Sequence, residues 1–291
     1  MDRCEERRDD AEWLRAQLDA AGTRIVPVWR EQSLVRLSEP IGAVEIALDD
    51  LAAPPADDEV FFLGIDGDGR ACFALAYAET DDVPALPATV DGEFAELRRV
   101  GATLDAHQAG LLAYARAVVY WHATHRFCGA CGATTEVRRA GWQRVCTNVD
   151  CGRSHFPRTD PAVIVRVEHG DRVLLGRQAA WPEKWFSVLA GFVEPGESLE
   201  ETVRREVFEE AGIRVRDVRY DSSQPWPFPA SLMVGFSAVA DNDDIRLATD
   251  ELEDARWFTR EEIRSGVAAG TLRLSPTRSI SRHLLDIWLE S

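Results

Sequence analysis

Glu206, Glu209 and Glu210 stand at i, i+3 and i+4, a spacing that gathers three carboxylates on one side of a helix. Like charges so placed cost stability unless a cation, or Arg205 beside them, offsets the repulsion. Hard divalent cations such as Mg2+ take oxygen ligands and commonly bind through one or two carboxylates plus substrate phosphates. The cluster therefore suits a metal-dependent site for a phosphoanhydride, although a solvated acidic helix face accounts for it equally when taken alone. The neighbouring residues support a helix. Pro195 and Gly196 make a turn, Ser198 with Glu201 three positions on has capping-box spacing, and Gly212 offers a stop. Val203, Val207 and Ala211 recur every four residues and can face a core, which leaves the other faces for chemistry.

Four cysteines form a second constellation. Cys128 and Cys131 make one close pair, Cys146 and Cys151 another, with fourteen residues between the pairs. Two such knuckles can close a tetrahedral thiolate site, which Zn2+ favours and which leaves no position for water. A disulfide framework is the competing account, but Cys4 and Cys72 add no framework spacing and the opening MDRCEERRDD lacks a secretory hydrophobic segment. His125 and His155 flank the region and are read as solvated or packed rather than as ligands. Arg126, Arg138, Arg139, Arg144, Arg153 and Arg158 make it locally basic, which a solvated surface explains as well as phosphate contact does.

A third segment, SQPWPFPASLM from Ser223 to Met233, alternates Pro225, Pro227 and Pro229 and so is expected to be extended and pre-ordered. Trp226 and Phe228 offer rigid apolar surface, and Gln224 and Ser231 can hydrogen-bond to a ligand. The bland account is a packed surface loop with aromatic anchors.

From Gly191 to Ile213 the glycine, Glu197 and the run Arg205-Glu206-Val207-Phe208-Glu209-Glu210-Ala211-Gly212-Ile213 match the Nudix box without a gap, so the chain resembles the Nudix hydrolases. SQPWPFPAS is similar to the signature of their NADH pyrophosphatase subfamily. The resemblance implies a Mg2+ or Mn2+ site held by Glu206 and Glu210, with Glu209, the Ala190 carbonyl and the downstream Glu251 contributing, and with Glu197 and Arg205 fixing the loop against the helix. It implies dinucleotide contacts from the eight residues Gln224, Pro225, Trp226, Pro227, Phe228, Pro229, Ala230 and Ser231. Phe192 would stack on nicotinamide, and Phe156 stands where a tyrosine from a partner subunit is usual. Ser281 falls at a backbone-contact position, and Arg99, in competition with Arg98, at that of a substrate-binding arginine. A structural zinc ribbon and a homodimer are implied too. The expected reaction is hydrolysis of NADH or NAD+ to nicotinamide mononucleotide and AMP, with Glu210 the first choice for a base. Removal of an NAD cap from RNA by the same cleavage is the alternative, and a dinucleotide-sensing module without turnover the rival from another class.

These residues need a scaffold. The chain has 291 residues and a net charge of −17, a poor balance for general nucleic-acid binding but compatible with a small anion held through metal. No stretch reaches the apolar length needed to cross a bilayer, and a cytoplasmic setting is expected. An α+β organisation follows: a mostly β N-terminal domain over 1–122, a zinc ribbon over 123–158, and a Nudix α/β/α sandwich with a mixed sheet over 159–291. Phe61 to Ile65 and Ala71 to Tyr77 read as a hairpin around Asp66-Gly67-Asp68-Gly69, and Asp105 to His122 as a helix. In the catalytic part strands are expected at AVIVRV, DRVLLGR, Lys184 to Leu189, Ser231 to Ala240 and Ala255 to Phe258, with a last helix within Pro276 to Leu289.

Overall fold

The computed structural model describes residues 1–51, 54–78, 80–247 and 251–291. Two compact units emerge, one of Met1–Arg158 with Pro227–Pro229 and one of Thr159–Trp226 with Ala230–Ser291.

The first unit runs α1 (Ala11–Leu18), β1 (Arg24–Trp29), β2 (Gln32–Arg36), β3 (Gly42–Ala43), β4 (Val60–Ile65), β5 (Ala71–Ala76), β6 (Glu93–Glu96), α2 (Leu97–Val100) and α3 (Ala106–Thr124). Its sheet has the order β3-β2-β1-β5-β4, with β6 also on β2, and β1 and β5 run parallel. The expected hairpin is β4–β5, and the expected helix is α3, capped by the Asp105 side chain on the Gln108 N–H. Alternate residues go to opposite faces of a strand. Val26, Phe61, Leu63 and Ala74 join Leu112 and Ala115 of α3 in one core, while Ile25, Leu34, Phe62 and Phe73 join Trp13 and Leu14 of α1 in the other. The domain is thus a sheet closed by helices on both faces rather than a bare β structure.

Three short strands follow, β7 (Thr135–Arg138), β8 (Gln143–Cys146) and β9 (Ser154–His155), all antiparallel. Buried His122 of α3 anchors them. Its Nε2 meets the Gly141 carbonyl at 2.8 Å, its Nδ1 meets Arg144 Nη1 at 3.0 Å, and its ring stacks on Phe61 at 3.7 Å. Burial pushes this imidazole down to about 3, so it stays neutral, Nε2 donating and Nδ1 accepting. Arg144 also donates to Thr135, from Nε to the hydroxyl and from Nη2 to the carbonyl. One of the six ribbon arginines is therefore structural.

The second unit contains β10 (Asp160–His169), β11 (Arg172–Arg177), β12 (Trp185–Phe186), β13 (Leu189–Phe192), α4 (Leu199–Ala211), β14 (Val215–Trp226), β15 (Ser231–Ala240), β16 (Asp254–Thr259), α5 (Arg260–Ala268), β17 (Arg273–Leu274) and α6 (Ile280–Glu290). The main sheet has the order β14-β15-β10-β11-β16 with β13 on β10; β10 and β15 are parallel. Val163, Val165 and Val167 of β10 face Val203, Val207 and Ala211 of α4, whereas Ile164 faces the opposite way, into the cluster of Leu284, Leu285 and Trp288 of α6. This is the expected α/β/α sandwich with a mixed sheet.

Two local expectations change. The strand expected from Lys184 to Leu189 is two pieces, since Lys184 adopts a left-handed φ of 67° and β12 leaves the main sheet to pair with β17. The proline segment is extended only as far as Trp226. Pro227–Ala230 then form a turn, because Trp226 pairs with Ser231 and the chain must reverse between them. Edge position explains how β14 tolerates Pro225, whose missing N–H removes a ladder bond only from an interior strand.

Candidate functional site

The box helix α4 is built as its sequence dictates. Ser198 accepts from the Glu201 N–H, Glu201 accepts in return from the Ser198 N–H, and Gly212 closes the far end at φ 69°. Val203, Val207 and Ala211 are wholly buried. With one face fixed in the core, the polar side chains are held at defined positions over β13.

Arg205 organises the site. Its Nε and Nη2 grip Glu197 at 2.6 and 2.9 Å, Nη1 reaches Glu206 at 2.9 Å and Glu209 at 3.0 Å, and Nη2 also donates to the Phe192 carbonyl at 2.9 Å. One guanidinium thus joins loop, strand and helix in the bidentate manner that only arginine offers. Arg205, with help from the Glu194 N–H and Thr202, holds the Glu197 carboxyl down at about 2. This is the loop-fixing role expected of the pair.

Glu206 lies flat against β13. A Cβ on Gly191 would come within 1.9 Å of the Glu206 carboxyl carbon, so only glycine leaves room for that carboxylate beside Ala190 and Phe192. Glu210 is 3% exposed, and its Oε2 has no hydrogen-bond partner among the described residues. Burial first, then the charges of Glu251 and Glu206, push its carboxyl up to about 8. Burial raises Glu206 as well, against the pull of Arg205. Glu209 and Glu251 are exposed.

This arrangement is short of positive charge. Among the described residues the one group of three or more ligand atoms lying within 4.8 Å of one another is the four cysteines; the carboxylates are spread, with Glu206 and Glu209 turned onto Arg205. An orphaned buried carboxylate oxygen beside two further carboxylates nevertheless fits a hard cation, which would supply the missing partner and hold the acids ionised.

The cysteine cluster is tighter. Cys128 and Cys151 sulfurs are 3.8 Å apart and those of Cys131 and Cys146 3.4 Å. A disulfide needs about 2.05 Å, whereas a tetrahedron with Zn–S bonds of about 2.3 Å gives edges of about 3.8 Å. The Ala130 N–H draws the Cys128 thiol down to about 6. His155, set aside as a ligand in the sequence, places Nε2 3.4 Å from Cys128 Sγ and so steadies a thiolate without joining the ligand set. The four sulfurs form a structural zinc site.

The remaining sequence-derived residues are distributed as follows. Phe192 and Phe156 are 57% and 56% exposed, free to stack. Gln224 is tied to the start of α6, donating to the Arg278 carbonyl and accepting from the Ile280 N–H, each at 2.8 Å. Ser231 is buried. Ser281 is buried too, its hydroxyl 2.7 Å from that of Ser187. Phe228 packs against the core of the first unit, with the guanidiniums of Arg98 and Arg116 each 4.9 Å from its ring, and its anchor role is the one the geometry shows. Arg98 lines a cleft of about 460 Å³ together with Glu31, Arg116, Phe228 and Pro229; Arg99 is exposed on the same helix and does not line it. Sequence reading missed Arg116, a buried arginine whose Nε donates to the Glu31 carbonyl at 3.1 Å and whose Nη2 pairs with the Glu31 carboxylate. No spacing could announce partners 85 residues apart.

Three family matches tile the chain: an NADH pyrophosphatase-like rudimentary NUDIX domain over residues 22–121, an NADH pyrophosphatase zinc ribbon domain over 123–156, and a NUDIX domain over 157–277. The NAD-capped RNA hydrolase NudC of Mycobacterium bovis is 42% identical over 293 residues, covering 96% of this chain and 92% of the relative. The human NAD-capped RNA hydrolase NUDT12 is 42% identical over 193 residues, which are 62% of this chain and 42% of that protein. A solved NUDIX hydrolase from Nitrosomonas europaea is 24% identical, covers 57% of this chain and 90% of its own, and has a TM-score of 0.46. With its full-length similarity to such a relative added to the box and ribbon geometry, the chain belongs to the Nudix hydrolase family, as an enzyme that cleaves a phosphoanhydride bond in an NAD-linked substrate.

Proposed function

We propose that this hydrolase removes the NAD cap from RNA, with free NADH and NAD+ as smaller substrates of the same cleavage. The observation that carries the choice is the 42% identity, across 96% of the chain, to a relative named for capped RNA. The motifs by themselves put the free dinucleotide first, so the order of the two readings is reversed.

In this reading the chain works as three domains, 1–122, 123–158 and 159–291. Glu206, Glu210 and Glu251, helped by Glu209 and the Ala190 carbonyl, would hold Mg2+ or Mn2+. When bound, the ion neutralises the pyrophosphate and makes a water more acidic. Glu210 then gives up the proton that burial keeps on it, and as a carboxylate it can accept the proton of the attacking water. Arg205 keeps Glu206 and Glu209 in place throughout. Water adds to one phosphorus, the bridging oxygen leaves with the other phosphate, and the products are nicotinamide mononucleotide and RNA with a 5′ phosphate, or AMP from the free dinucleotide. Phe192, and Phe156 from a second copy, would stack on nicotinamide. The segment Gln224 to Ser231 would shape the pocket, Gln224 through its hold on the start of α6 and Phe228 as an anchor. Ser281 and Arg98 or Arg99 complete the assignment.

The test compares a short NAD-capped RNA with NADH at equal concentration, with Mg2+ or Mn2+ and a Glu210→Gln control. Metal-dependent release of nicotinamide mononucleotide, with the higher kcat/KM on capped RNA, is expected. A tenfold preference for NADH would return the reading to the free dinucleotide.

A further inference from the structure

Arg116 is the least exposed arginine among the described residues, at 5%, and the proposed chemistry leaves it unused. We propose that it is a positioning residue for the reaction: from the middle of α3 it fixes the tip of the proline segment, and through that tip the side chains that meet the substrate. This rests on the reading that gives Gln224 to Ser231 to the substrate.

The tip has little of its own to hold it. Pro227 and Pro229 lack an N–H, so Phe228 carries the one backbone donor of the three residues. Trp226 and Ser231 close the ladder beneath them, and the bond from the Asp160 N–H to the Ala230 carbonyl, at 2.8 Å, holds only the returning side. Prolines narrow the conformations open to a turn without placing it. Placement depends on groups from elsewhere in the chain, and Pro227–Pro229 cluster with the first unit, as Arg116 and Glu31 do.

Arg116 supplies those groups. Its Nη1 donates to the Pro229 carbonyl at 3.4 Å, and its guanidinium carbon lies 4.9 Å from the centre of the Phe228 ring, within cation–π range. Glu31 orients the rest of the fork, its carbonyl accepting from Nε at 3.1 Å and its carboxylate pairing with Nη2. A planar guanidinium gripped in this way is aimed as well as placed, which an ammonium would not be. Arg30 and Glu31 form the two-residue turn between β1 and β2, with φ of 47° and 63°. Such a turn favours Asn-Gly, because a Cβ is strained at positive φ. Glu31 thus stands there against the preference of the backbone, with both its carbonyl and its carboxylate on Arg116.

A structural ion pair alone is a poor account of the arrangement. Burial pushes the Arg116 guanidinium below its usual pKa, and apolar side chains of similar volume commonly serve a buried position as well or better. What an apolar residue lacks is a donor for Pro229 and a cation for Phe228.

The experiment uses full-length, zinc-loaded Arg116→Met. It measures turnover of NADH and of a short NAD-capped RNA with Mg2+, and amide exchange of residues 223–233 by mass spectrometry. Exchange should quicken in 223–233 and not in 199–211, and KM should rise roughly 10- to 100-fold with kcat within about twofold, because the acids of α4 are untouched. Arg116→Lys should recover little of this, lacking the fork. Phe228→Leu keeps an apolar side chain but takes the ring from Arg116 and Arg98, and it guards against an Arg116 variant that does not fold. It should raise KM roughly 2- to 5-fold, and an unaltered KM there would count against the proposal as decisively as unaltered exchange in Arg116→Met. A kcat that falls as far as KM rises would also overturn it, being the mark of general damage. Trp226→Ala separates these failures from failure of the underlying reading. KM unmoved in Trp226→Ala would withdraw the segment from the substrate and the proposal with it, whereas KM raised there but not in Arg116→Met would overturn the positioning role alone.

Discussion

Without a divalent cation, the Glu210→Gln protein should be more stable than wild type, by an amount that grows with pH. Glu210 titrates at about 8 in the fold against 4.5 in an unfolded chain, chiefly because it is buried, with Glu251 and Glu206 adding repulsion. A raised carboxyl prefers its proton in the folded state, so between those values the fold binds more protons than the unfolded chain does. Stability linked to this group is therefore full below about 4.5 and is lost as pH rises through 8. At about 1.4 kcal/mol for each tenfold change in proton affinity, the loss reaches a ceiling of about 5 kcal/mol at high pH. Glutamine has the same shape, carries no charge and escapes the loss.

The assay is thermal unfolding of both proteins from pH 5 to 9, zinc-loaded and in magnesium-free buffer. The two curves should nearly meet at pH 5, diverge steadily from there to about pH 8 and level off above it, wild type falling below the variant by up to roughly 15 °C for a domain of this size. Adding Mg2+ should raise the wild-type midpoint, more at pH 8 than at pH 6, because the ion must displace the Glu210 proton at the lower pH. It should do little for the variant. Curves that run parallel across the whole range would refute the claim that Glu210 is an unpaired buried acid awaiting a cation.

Gly191→Ala should lower kcat at least about 100-fold, since its Cβ would drive the Glu206 carboxylate from its place and small displacements of catalytic groups cost that much; an active variant would show that Glu206 can shift without consequence. Arg205→Met strips the shared counter-charge from Glu197, Glu206 and Glu209 and should cost about 2–3 kcal/mol in chemical denaturation, with Arg205→Lys recovering only part because it lacks the fork. Cys146→Ser should lower bound zinc from one ion per chain to a substoichiometric level and melt the ribbon, measured by metal analysis and by proteolysis within residues 123–158.

Whether a feature could be read in the sequence depended on how far away its partners lie. The caps and core face of α4 are set by residues three and four apart, so Ser198, Glu201, Val203, Val207 and Gly212 take their expected roles. The cysteine spacing is almost as local, and its four sulfurs converge. The proline segment depends on a distant constraint. Alternating prolines favour extension, yet Trp226 meets Ser231 only because β15 is already fixed beside β10, and that pairing forces the turn. In the first domain β1 is buried on both sides, so Arg24–Trp29 shows no alternation from which its two cores could be foreseen.

The acids divide in the same way, and here the division is chemical. Sequence places Glu206, Glu209 and Glu210 on one side of a helix and treats them alike. The fold does not. Arg205 takes Glu206 and Glu209, and the residue one position beyond Glu209 turns inward, where no cation among the described residues reaches it. A helix advances about 100° per residue, so this separation of neighbours follows once Val203 and Val207 have fixed which side is buried. Had the box been only a solvated acidic face, water would have reached all three carboxylates. Glu210, 3% exposed and without a partner for one oxygen among the described residues, is unstable on its own terms, and the hard cation expected from the family is the partner that would resolve it.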